Sequence, residues 1–286
     1  MGDSNKKTFN NNIVQLKIMQ KRGIFLYLLI FITILNAAAA EELVNDYNSY
    51  TSLDFDFSLQ GGFRLESTSE KSKVSEVSAY LTFFPRKDIL QEASSMDISS
   101  TPSATVKQTN GDILFNWAMP KEDSFDFSLN SRITTKNALV IVDSKAAFPL
   151  KDVDTFYTEP TEYIDINEDI RRKALDLAGS EDDLYFVAFN VADWIQENIK
   201  YDLSTLTADV VQKSSWVLTN REGVCDELTN LFISMMRSLG VPARYVSGVA
   251  YTNLGYKFGP HAWAEVYFPD KGWVPFDITY RQFGWL

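Results

Sequence analysis

The first half of the chain alternates apolar and polar residues over short segments. LDFDFSL, KVSEVSAYLTFF, GDILFNWAM and DSFDFSLNSRI are examples, and Pro, Gly, Ser and Asn separate them. A period of two places every second side chain on one face of a strand. We therefore predict that residues 41–156 form a β-rich N-terminal domain, either a β-sandwich or another β-rich module. Within it, Gln91 to Asp112 has the strongest loop character and is predicted to be a long hairpin or an exposed connection.

After Tyr157 the spacing of apolar residues changes to that of helices. In DDLYFVAFNVADWIQENIKYD the apolar positions recur every three or four residues, which predicts an amphipathic helix with one buried face. A second stripe begins near Cys225 and stops at Gly240, with Pro242 close behind, which is a common way for a helix to end. The two stripes are Leu184, Val187, Val191, Trp194 and Ile195, and Leu228, Leu231, Phe232, Met235 and Leu239.

Three strand-like segments, ARYVSGVAY, HAWAEVYF and GWVPFDITY, follow the second helix. The last two are joined by PDKG, a run that favours a turn, so they are predicted to form a hairpin. Helices followed by antiparallel strands indicate an α+β fold for residues 157–286. In this domain we expect the helix that begins at Cys225 to pack on the sheet.

Residues 1–40 have the composition of an export signal. Lys17, Lys21 and Arg22 precede the apolar run GIFLYLLIFITIL, and NAAAAEE then offers small residues for cleavage before Glu41. The apolar run is shorter than the ~20 residues that span a bilayer. We predict a signal peptide over residues 1–40, with Met19 as the translation start, and export to the cell surface or the extracellular space. The alternative is an uncleaved segment that anchors the protein in the membrane through residues 23–40.

Acidic residues outnumber basic ones along the whole chain. The net charge is −11, and removal of residues 1–40 leaves 22 Lys and Arg against 37 Asp and Glu, a net charge of −15. The sequence after residue 40 has no basic cluster, so nucleic acid and anionic lipid are not expected as partners. A single cysteine excludes an intrachain disulfide, and an unpaired thiol in an exported protein is expected to be buried or used.

The only cysteine lies where a reactive thiol is favoured. Cys225 opens the second predicted helix, where unpaired backbone N–H groups stabilise a thiolate. Gly223, two residues earlier, permits a tight turn into the helix. Asp226 and Glu227 in the first turn act in the opposite direction, because negative charges raise the pKa of a neighbouring thiol. Position at a helix start therefore leaves the reactivity of Cys225 undecided.

The only histidine, His261, and Asp277 lie on the two strands of the predicted hairpin. A three-residue loop pairs Phe268 with Gly272 and places Asp277 on the same face as His261, one diagonal step of ~7 to 8 Å away. Singly, a cysteine, a histidine or an aspartate has an ordinary structural role. Together, a carboxylate that orients an imidazole and an imidazole that activates a thiol make an activated nucleophile. The three residues follow one another in the sequence as nucleophile, base and orienting acid, at a helix start and on two consecutive strands, and this combination favours catalysis.

These segments resemble the transglutaminase-like superfamily, in particular its exported prokaryotic members. GVC, GVPAR, HAWAEV and GWVPFD occur in the family's order and at similar spacing, and the resemblance spans roughly residues 157–285. It implies a papain-like fold with Cys225 as nucleophile, His261 as general base and Asp277 as the residue that orients it. The thiol and the imidazole would then be a thiolate–imidazolium pair, in which a cysteine pKa of ~3 to 4 keeps the thiolate near pH 6.

The resemblance also implies an oxyanion hole made from the backbone N–H of Cys225 and one upstream donor. Trp216, in SSWVLTNREGVC, is the first candidate for that donor and Tyr201 is the second. The family's fold usually continues with further strands after the one that carries Asp277. Because the sequence stops soon afterwards at FGWL, we expect a C-terminally truncated chain with an uncovered apolar sheet edge.

Two functions fit these observations. The first is an enzyme that attacks an amide bond of a protein or peptide substrate, forms a thioester, and passes the acyl group to water or to an amine, with hydrolysis slightly favoured. The alternative is a cell-surface binding or scaffold module that keeps the fold without the chemistry. One cysteine and one histidine do not supply the usual zinc ligand sets, so no metal and no cofactor are expected.

Overall fold

The computed structural model describes residues 14–15, 24–29, 51–67, 73–88, 90–109, 111–136, 142–207, 211–252 and 257–284. The chain divides into two compact units, Met1–Asn137 and Ala138–Leu286. The first unit is rich in strands and the second combines helices with an antiparallel sheet. This confirms the α+β class predicted from the sequence.

The described residues of the first unit form two four-stranded antiparallel sheets. One has the strand order β1-β4-β7-β6 and the other the order β2-β3-β8-β5. In chain order the strands are β1 (Val14–Gln15), β2 (Ile24–Leu29), β3 (Ser52–Ser67), β4 (Glu76–Leu81), β5 (Gln91–Thr101), β6 (Thr105–Gln108), β7 (Ile113–Ala118) and β8 (Ser124–Lys136).

The two sheets of the first unit share one hydrophobic core, because their alternating sequences bury every second side chain. Phe63 of β3 stacks on Phe125 of β8, with ring centroids 5.1 Å apart. Phe115 of β7, in the other sheet, lies 5.3 Å from Phe127 of β8. All four side chains are buried in the same apolar cluster. The unit is therefore a β-sandwich, one of the two arrangements that the alternation predicted.

The segment Gln91–Asp112 forms strands, and the prediction of a long hairpin or exposed connection there is wrong. β5 and β6 both lie within it, and they belong to different sheets. Met96 and Ile98 of β5 pack against the core, while alternate residues of that strand are exposed. The apolar pattern of β5 is weak because few of its side chains are buried. Its hydrogen-bonded pairing with the backbone of β8 makes it a strand.

Most of the predicted export signal lies outside the described residues. Within it, Ile24–Leu29 forms β2, which pairs antiparallel with β3 from Ile24 opposite Ser67 to Leu29 opposite Gly62. Cleavage before Glu41 would remove this strand and β1, and the cleavage stays a prediction. In the part of the chain that the structure describes, no helix has the length and apolar character needed to cross a membrane.

Four helices build one layer of the described part of the second unit: α1 (Glu168–Ala178), α2 (Leu184–Asn198), α3 (Ser214–Asn220) and α4 (Cys225–Ser238). The sequence predicted α2 and α4. The Asp183 side chain caps α2 by accepting a hydrogen bond from the Tyr185 N–H, and Gly240, with a φ of 74°, follows the end of α4 as predicted.

The sheet of the second unit is antiparallel, with the strand order β11-β12-β13-β14. Phe268 pairs with Gly272 across the turn, which confirms the predicted hairpin register. Phe232 of α4 stacks on Phe276 of β13 at 5.5 Å, so the helix packs on the sheet as expected. These strands are β11 (Ala243–Thr252), β12 (Lys257–Phe268), β13 (Gly272–Asp277) and β14 (Gln282–Phe283), and a separate parallel pair is β9 (Lys200–Tyr201) with β10 (Glu222–Gly223).

The edge of β13 that was expected to be uncovered has a partner. β14 pairs with it, Phe276 opposite Phe283 and Asp277 opposite Gln282. The Phe283 ring then stacks on Phe276, with centroids 5.8 Å apart. The apolar pattern of the sequence RQFG is too short to predict β14. This strand follows a turn directly and covers the apolar edge of β13.

Residues 142–156 are part of the second unit. The Phe148 N–H donates to the Asp182 carbonyl at 3.0 Å, and the Leu184 N–H donates to the Ala146 carbonyl at 2.7 Å. The Asp143 carboxylate binds the Lys271 ammonium at 2.7 Å. Because these bonds tie the segment to α2 and to the β12–β13 turn, the division falls after residue 137, earlier than the boundary predicted after Phe156.

Candidate active site

The start of α4 is shaped by a buried glutamate. The Glu227 carboxylate accepts hydrogen bonds from the backbone N–H groups of Val224 at 3.0 Å and Gln212 at 3.1 Å. It thereby satisfies one of the unpaired donors of the helix start and holds the incoming loop. Glu227 is 4% exposed, and both of its carboxylate oxygens accept backbone N–H groups that precede Cys225, the first residue of the helix. Its role is therefore structural.

Gly223 brings a second chain segment to the nucleophile candidate. It pairs with Tyr201 in the parallel β9–β10 ladder, and the Asp202 N–H donates to its carbonyl at 2.9 Å. A Cβ at this position would lie 2.6 Å from the Cβ of Glu227, a distance that real Cβ atoms essentially never show. Glycine is therefore required by the close approach of the loop to the helix, in addition to the turn that the sequence suggested.

The Cys225 thiol is half-buried, and two of its polar neighbours act on its pKa in opposite directions. The backbone N–H of Ala262, the residue after His261, donates to the sulfur and favours the thiolate, whereas the Asp226 carboxylate lies 3.7 Å from it and favours the thiol. Burial, followed by the charge of Asp226, raises the pKa of Cys225 to about 12. This direction is opposite to the thiolate expected from the sequence.

His261 and Asp277 form a short buried hydrogen bond. The His261 Nε2 lies 2.6 Å from the Asp277 Oδ2, and the two residues are 8% and 1% exposed. The other carboxylate oxygen, Oδ1, accepts the Tyr280 N–H at 3.0 Å, so both oxygens are fixed. A carboxylate only accepts hydrogen bonds, so Nε2 carries the hydrogen, and the tautomer that this bond selects has its lone pair on Nδ1.

Two aromatic rings pack against the imidazole. The Tyr280 ring centroid lies 4.9 Å from that of His261, and the Trp263 ring lies 6.3 Å away at an interplanar angle of 29°. Trp263 extends over Gly248 of β11, where a Cβ would lie 2.5 Å from the indole. The imidazole is therefore confined by packing as well as by its bond to Asp277.

Of the two predicted oxyanion donors, the structure brings Tyr201 to the cysteine. The Tyr201 hydroxyl bonds to the backbone N–H and to the side chain of Cys225. Burial of the hydroxyl, followed by the charge of Cys225, raises the pKa of Tyr201 above its ordinary value, so the phenol keeps its proton. Trp216 instead packs on the core of the unit and lines a separate cavity with Tyr163 and Gln212.

Two further tyrosines lie near the thiol, and the sequence analysis did not find them. Tyr245 of β11 donates its hydroxyl to the Asp226 Oδ1 at 2.8 Å. Tyr280 follows β13, and burial together with the charges of Asp277 and Cys225 raises its pKa. Both are partly exposed, 37% and 46%. A partly exposed tyrosine in a strand or turn is common, so only the fold reveals that these rings surround Cys225.

Comparison with known proteins relates a large part of the second unit to a family. Residues 171–278 match the family model of the transglutaminase-like superfamily. These residues extend from α1 to the end of β13 and include Cys225, His261 and Asp277. The second unit therefore contains a transglutaminase-like domain, as the sequence motifs predicted.

Two curated proteins are similar to shorter stretches of the chain. The uncharacterized protein YebA of Bacillus subtilis strain 168 is 30% identical over 128 residues, which are 39% of this chain and 17% of that protein. A protein-glutamine gamma-glutamyltransferase of Pseudomonas aeruginosa is 30% identical over 74 residues, 23% of this chain and 11% of that protein. The matched regions are thus a small part of these curated relatives.

A solved structure shares the fold over most of the chain. A candidate cysteine protease from Cytophaga hutchinsonii superposes with a TM-score of 0.60 and 19% sequence identity, covering 81% of this chain and 78% of that one. At this identity the likeness concerns the fold, including the β-rich region that precedes the transglutaminase-like domain.

Proposed function

We propose that the protein is an exported, cysteine-dependent enzyme that acts on amide bonds of proteins or peptides through a thioester acyl-enzyme. Cys225 is the nucleophile, His261 the general base and Asp277 the residue that orients it. The observation that carries the proposal is the buried 2.6 Å bond between His261 and Asp277, on strands that pack against the helix opened by Cys225. The sulfur accepts a hydrogen bond from the residue next to His261.

The chemistry follows from the imidazole tautomer. As the sulfur attacks the substrate carbonyl carbon, the thiol proton passes to the free Nδ1 of His261, and Asp277 stabilises the imidazolium. When the tetrahedral intermediate collapses, His261 returns that proton to the leaving amine, the C–N bond breaks and a thioester remains. Water or an amine then attacks the thioester and gives its proton to His261. The C–S bond breaks, and His261 returns the proton to the sulfur, which restores the thiol.

We place Tyr201 in the oxyanion hole. In the resting site the Cys225 N–H donates to the Tyr201 hydroxyl, and the hydroxyl donates to the sulfur. A substrate oxygen that entered between them would accept from both groups as it gained negative charge. Because burial keeps this phenol protonated, it can donate throughout the physiological pH range. This assignment replaces Trp216, the first candidate from the sequence, whose ring packs on the apolar core.

Hydrolysis is the favoured outcome of the second step. Cys225 is only half-buried and Tyr201 is 45% exposed, so water reaches the site. Water is present at high concentration, so an acceptor amine competes with it successfully only where the site excludes water. The transferase relative in Pseudomonas aeruginosa supports the amine as the second acceptor to test.

An activated ester tests the acyl-enzyme directly. We expect p-nitrophenyl acetate to acetylate the wild-type protein on Cys225, with a burst of p-nitrophenolate and a single acetyl adduct in the intact mass. Cys225→Ala should give neither. Added methylamine measures partition of the thioester between water and amine. A wild-type protein that acquires no acetyl group on Cys225 would contradict the proposal.

The same assay separates the two oxyanion candidates. Removal of one oxyanion donor costs about 10² to 10³ in rate, so Tyr201→Phe should slow acetylation of Cys225 by about a hundredfold. Trp216→Phe is the matched aromatic control and should retain the rate once folding is verified. Equal losses in the two variants would show that Tyr201 has no special part in the reaction.

The binding or scaffold module remains the second candidate, and one observation favours it. The pKa of Cys225 is raised to about 12, so the resting site holds a thiol and not a thiolate. A protein that used only the surface of this fold would not need a reactive sulfur. The acetylation assay decides between the two candidates, because a scaffold gives no rapid adduct on Cys225.

Export is supported by the sequence of residues 1–40, whose basic flank, apolar run and small residues match a signal peptide. We expect the mature chain to begin near Glu41 and to lie outside the cytoplasmic membrane. N-terminal sequencing of the exported fraction measures this. Recovery of most of the intact chain from the cytosol would contradict it.

A further inference from the structure

One carboxylate lies directly beside the sulfur and has no part in the proposed proton transfers. The Oδ1 atom of Asp226 lies 3.7 Å from the Cys225 sulfur and also accepts the Tyr245 hydroxyl at 2.8 Å. A helix needs no such contact at this position, because Glu227 already binds a free N–H at its start. Tyr245 fixes Asp226 from β11, an element distant in sequence.

The charge of Asp226 is not balanced by a basic side chain within the part of the chain that the structure describes. The basic residues that directly precede Tyr245 and Tyr201 in the sequence bind other carboxylates. Arg244 binds Glu265 at 2.6 Å and lies over the Trp273 ring, while Lys200 binds Asp202 at 2.5 Å. The thiol is therefore next to an uncompensated carboxylate, in a strongly acidic protein.

Aromatic rings complete this side of the site. Tyr201, Tyr245 and Tyr280 are each partly exposed, and the Cys225 charge influences the pKa of all three. Tyrosine rings attract cations through their π faces, and a carboxylate attracts them by charge. The surface around the sulfur thus combines two features that stabilise a positive group.

We propose that Asp226, fixed by Tyr245, is a specificity-determining residue that favours acyl donors with a positive charge next to the reacting amide. The inference rests on the proposed function and adds a substrate class to it: peptides with a lysine or arginine side chain beside the carbonyl that Cys225 attacks. Such a cation pairs with Asp226 and also weakens the hold of this carboxylate on the thiol proton.

Charged thiol reagents test this preference without knowledge of the natural substrate. The probes are trimethylammonioethyl, methyl and sulfonatoethyl methanethiosulfonate, which are cationic, neutral and anionic and which react with the single cysteine. Two unit charges 4 Å apart interact by about 1 kcal/mol in water, roughly a fivefold effect for each charged reagent. We expect the cation-to-anion rate ratio to fall about thirtyfold in Asp226→Asn, after division by the ratio for N-acetylcysteine.

Controls separate local charge from the overall acidity. Glu222→Gln removes one charge three residues before Cys225 and should keep the ratio within about twofold of the wild type, because screening weakens charges that are not in contact. Tyr245→Phe should give an intermediate ratio, since the carboxylate stays but loses the bond that fixes it. A change in thiol reactivity alone affects all three probes and cancels in the ratio.

The outcomes distinguish this inference from the proposed function. An unchanged ratio in Asp226→Asn, or equal losses in Asp226→Asn and Glu222→Gln, overturns the inference, and acetylation of Cys225 by p-nitrophenyl acetate can still stand. A wild-type sulfur that reacts with none of the probes overturns both. Melting curves of each variant establish that the proteins compared are folded.

Discussion

Asp277→Asn is expected to slow acetylation of Cys225 by about a hundred- to a thousandfold, although it changes one atom. The Tyr280 N–H binds Oδ1 in the native protein and will hold the amide oxygen of the new side chain in the same way. The amide NH₂ group then faces the His261 Nε2. That nitrogen must accept a hydrogen bond, so the ring hydrogen moves to Nδ1, the atom that receives the thiol proton.

Two measurements show that the loss comes from the tautomer. The melting temperature should change little, because the hydrogen bonds of the site keep their geometry. The ¹⁵N chemical shifts of the single histidine report which ring nitrogen is protonated. We expect the protonated nitrogen to be Nε2 in the wild type and Nδ1 in Asp277→Asn. Asp270→Asn, in the exposed turn between β12 and β13, is the matched control. Full activity of Asp277→Asn would remove Asp277 from the mechanism.

The sequence predicted the second unit well because its signals are local or periodic. The apolar stripe of α4 and the glycine that follows it define a helix without reference to any other element. The three-residue turn sets the register of β12 and β13, and with it the shared face of His261 and Asp277. Their 2.6 Å contact follows from that register, since one diagonal step is within reach of the two side chains.

Other parts of the site depend on contacts between segments that are distant in sequence. The β9–β10 ladder brings Tyr201 beside Cys225, yet each of its strands has only two residues and no periodic pattern. Trp216 was the first candidate for the upstream donor because it lies nine residues before Cys225, but its side chain packs on the core. Tyr245 reaches Asp226 only because β11 passes the start of α4.

In the first unit, the limit of prediction was the weak pattern of an outer strand. β8 alternates buried and exposed residues along most of its length and could be recognised as a strand. β5 pairs with β8 but buries few large apolar side chains, so Ser and Thr dominate its sequence. Backbone pairing alone leaves little trace in the order of residues.

The pH dependence of the thiol is the property for which sequence and structure differ most. The sequence led us to expect a thiolate down to about pH 5 to 6, because the helix start and His261 favour the anion. In the structure, burial and Asp226 outweigh the N–H of Ala262 and raise the pKa of Cys225 to about 12. The Asp226 carboxylate and the hydroxyls of Tyr201, Tyr245 and Tyr280 are the other titratable groups around the sulfur.

Iodoacetamide measures this pKa without interference, because the chain has one cysteine. A group with a raised pKa is protonated below that value, so the wild-type rate should rise about tenfold per pH unit from pH 7 to 10 and show no plateau. Asp226→Asn removes the second largest cause of the shift and should move the curve to lower pH. His261→Ala should leave the curve in place, because burial and Asp226, and not His261, cause the raised pKa of Cys225. A rate that is already constant at pH 6, and that depends on His261, would restore the thiolate–imidazolium pair.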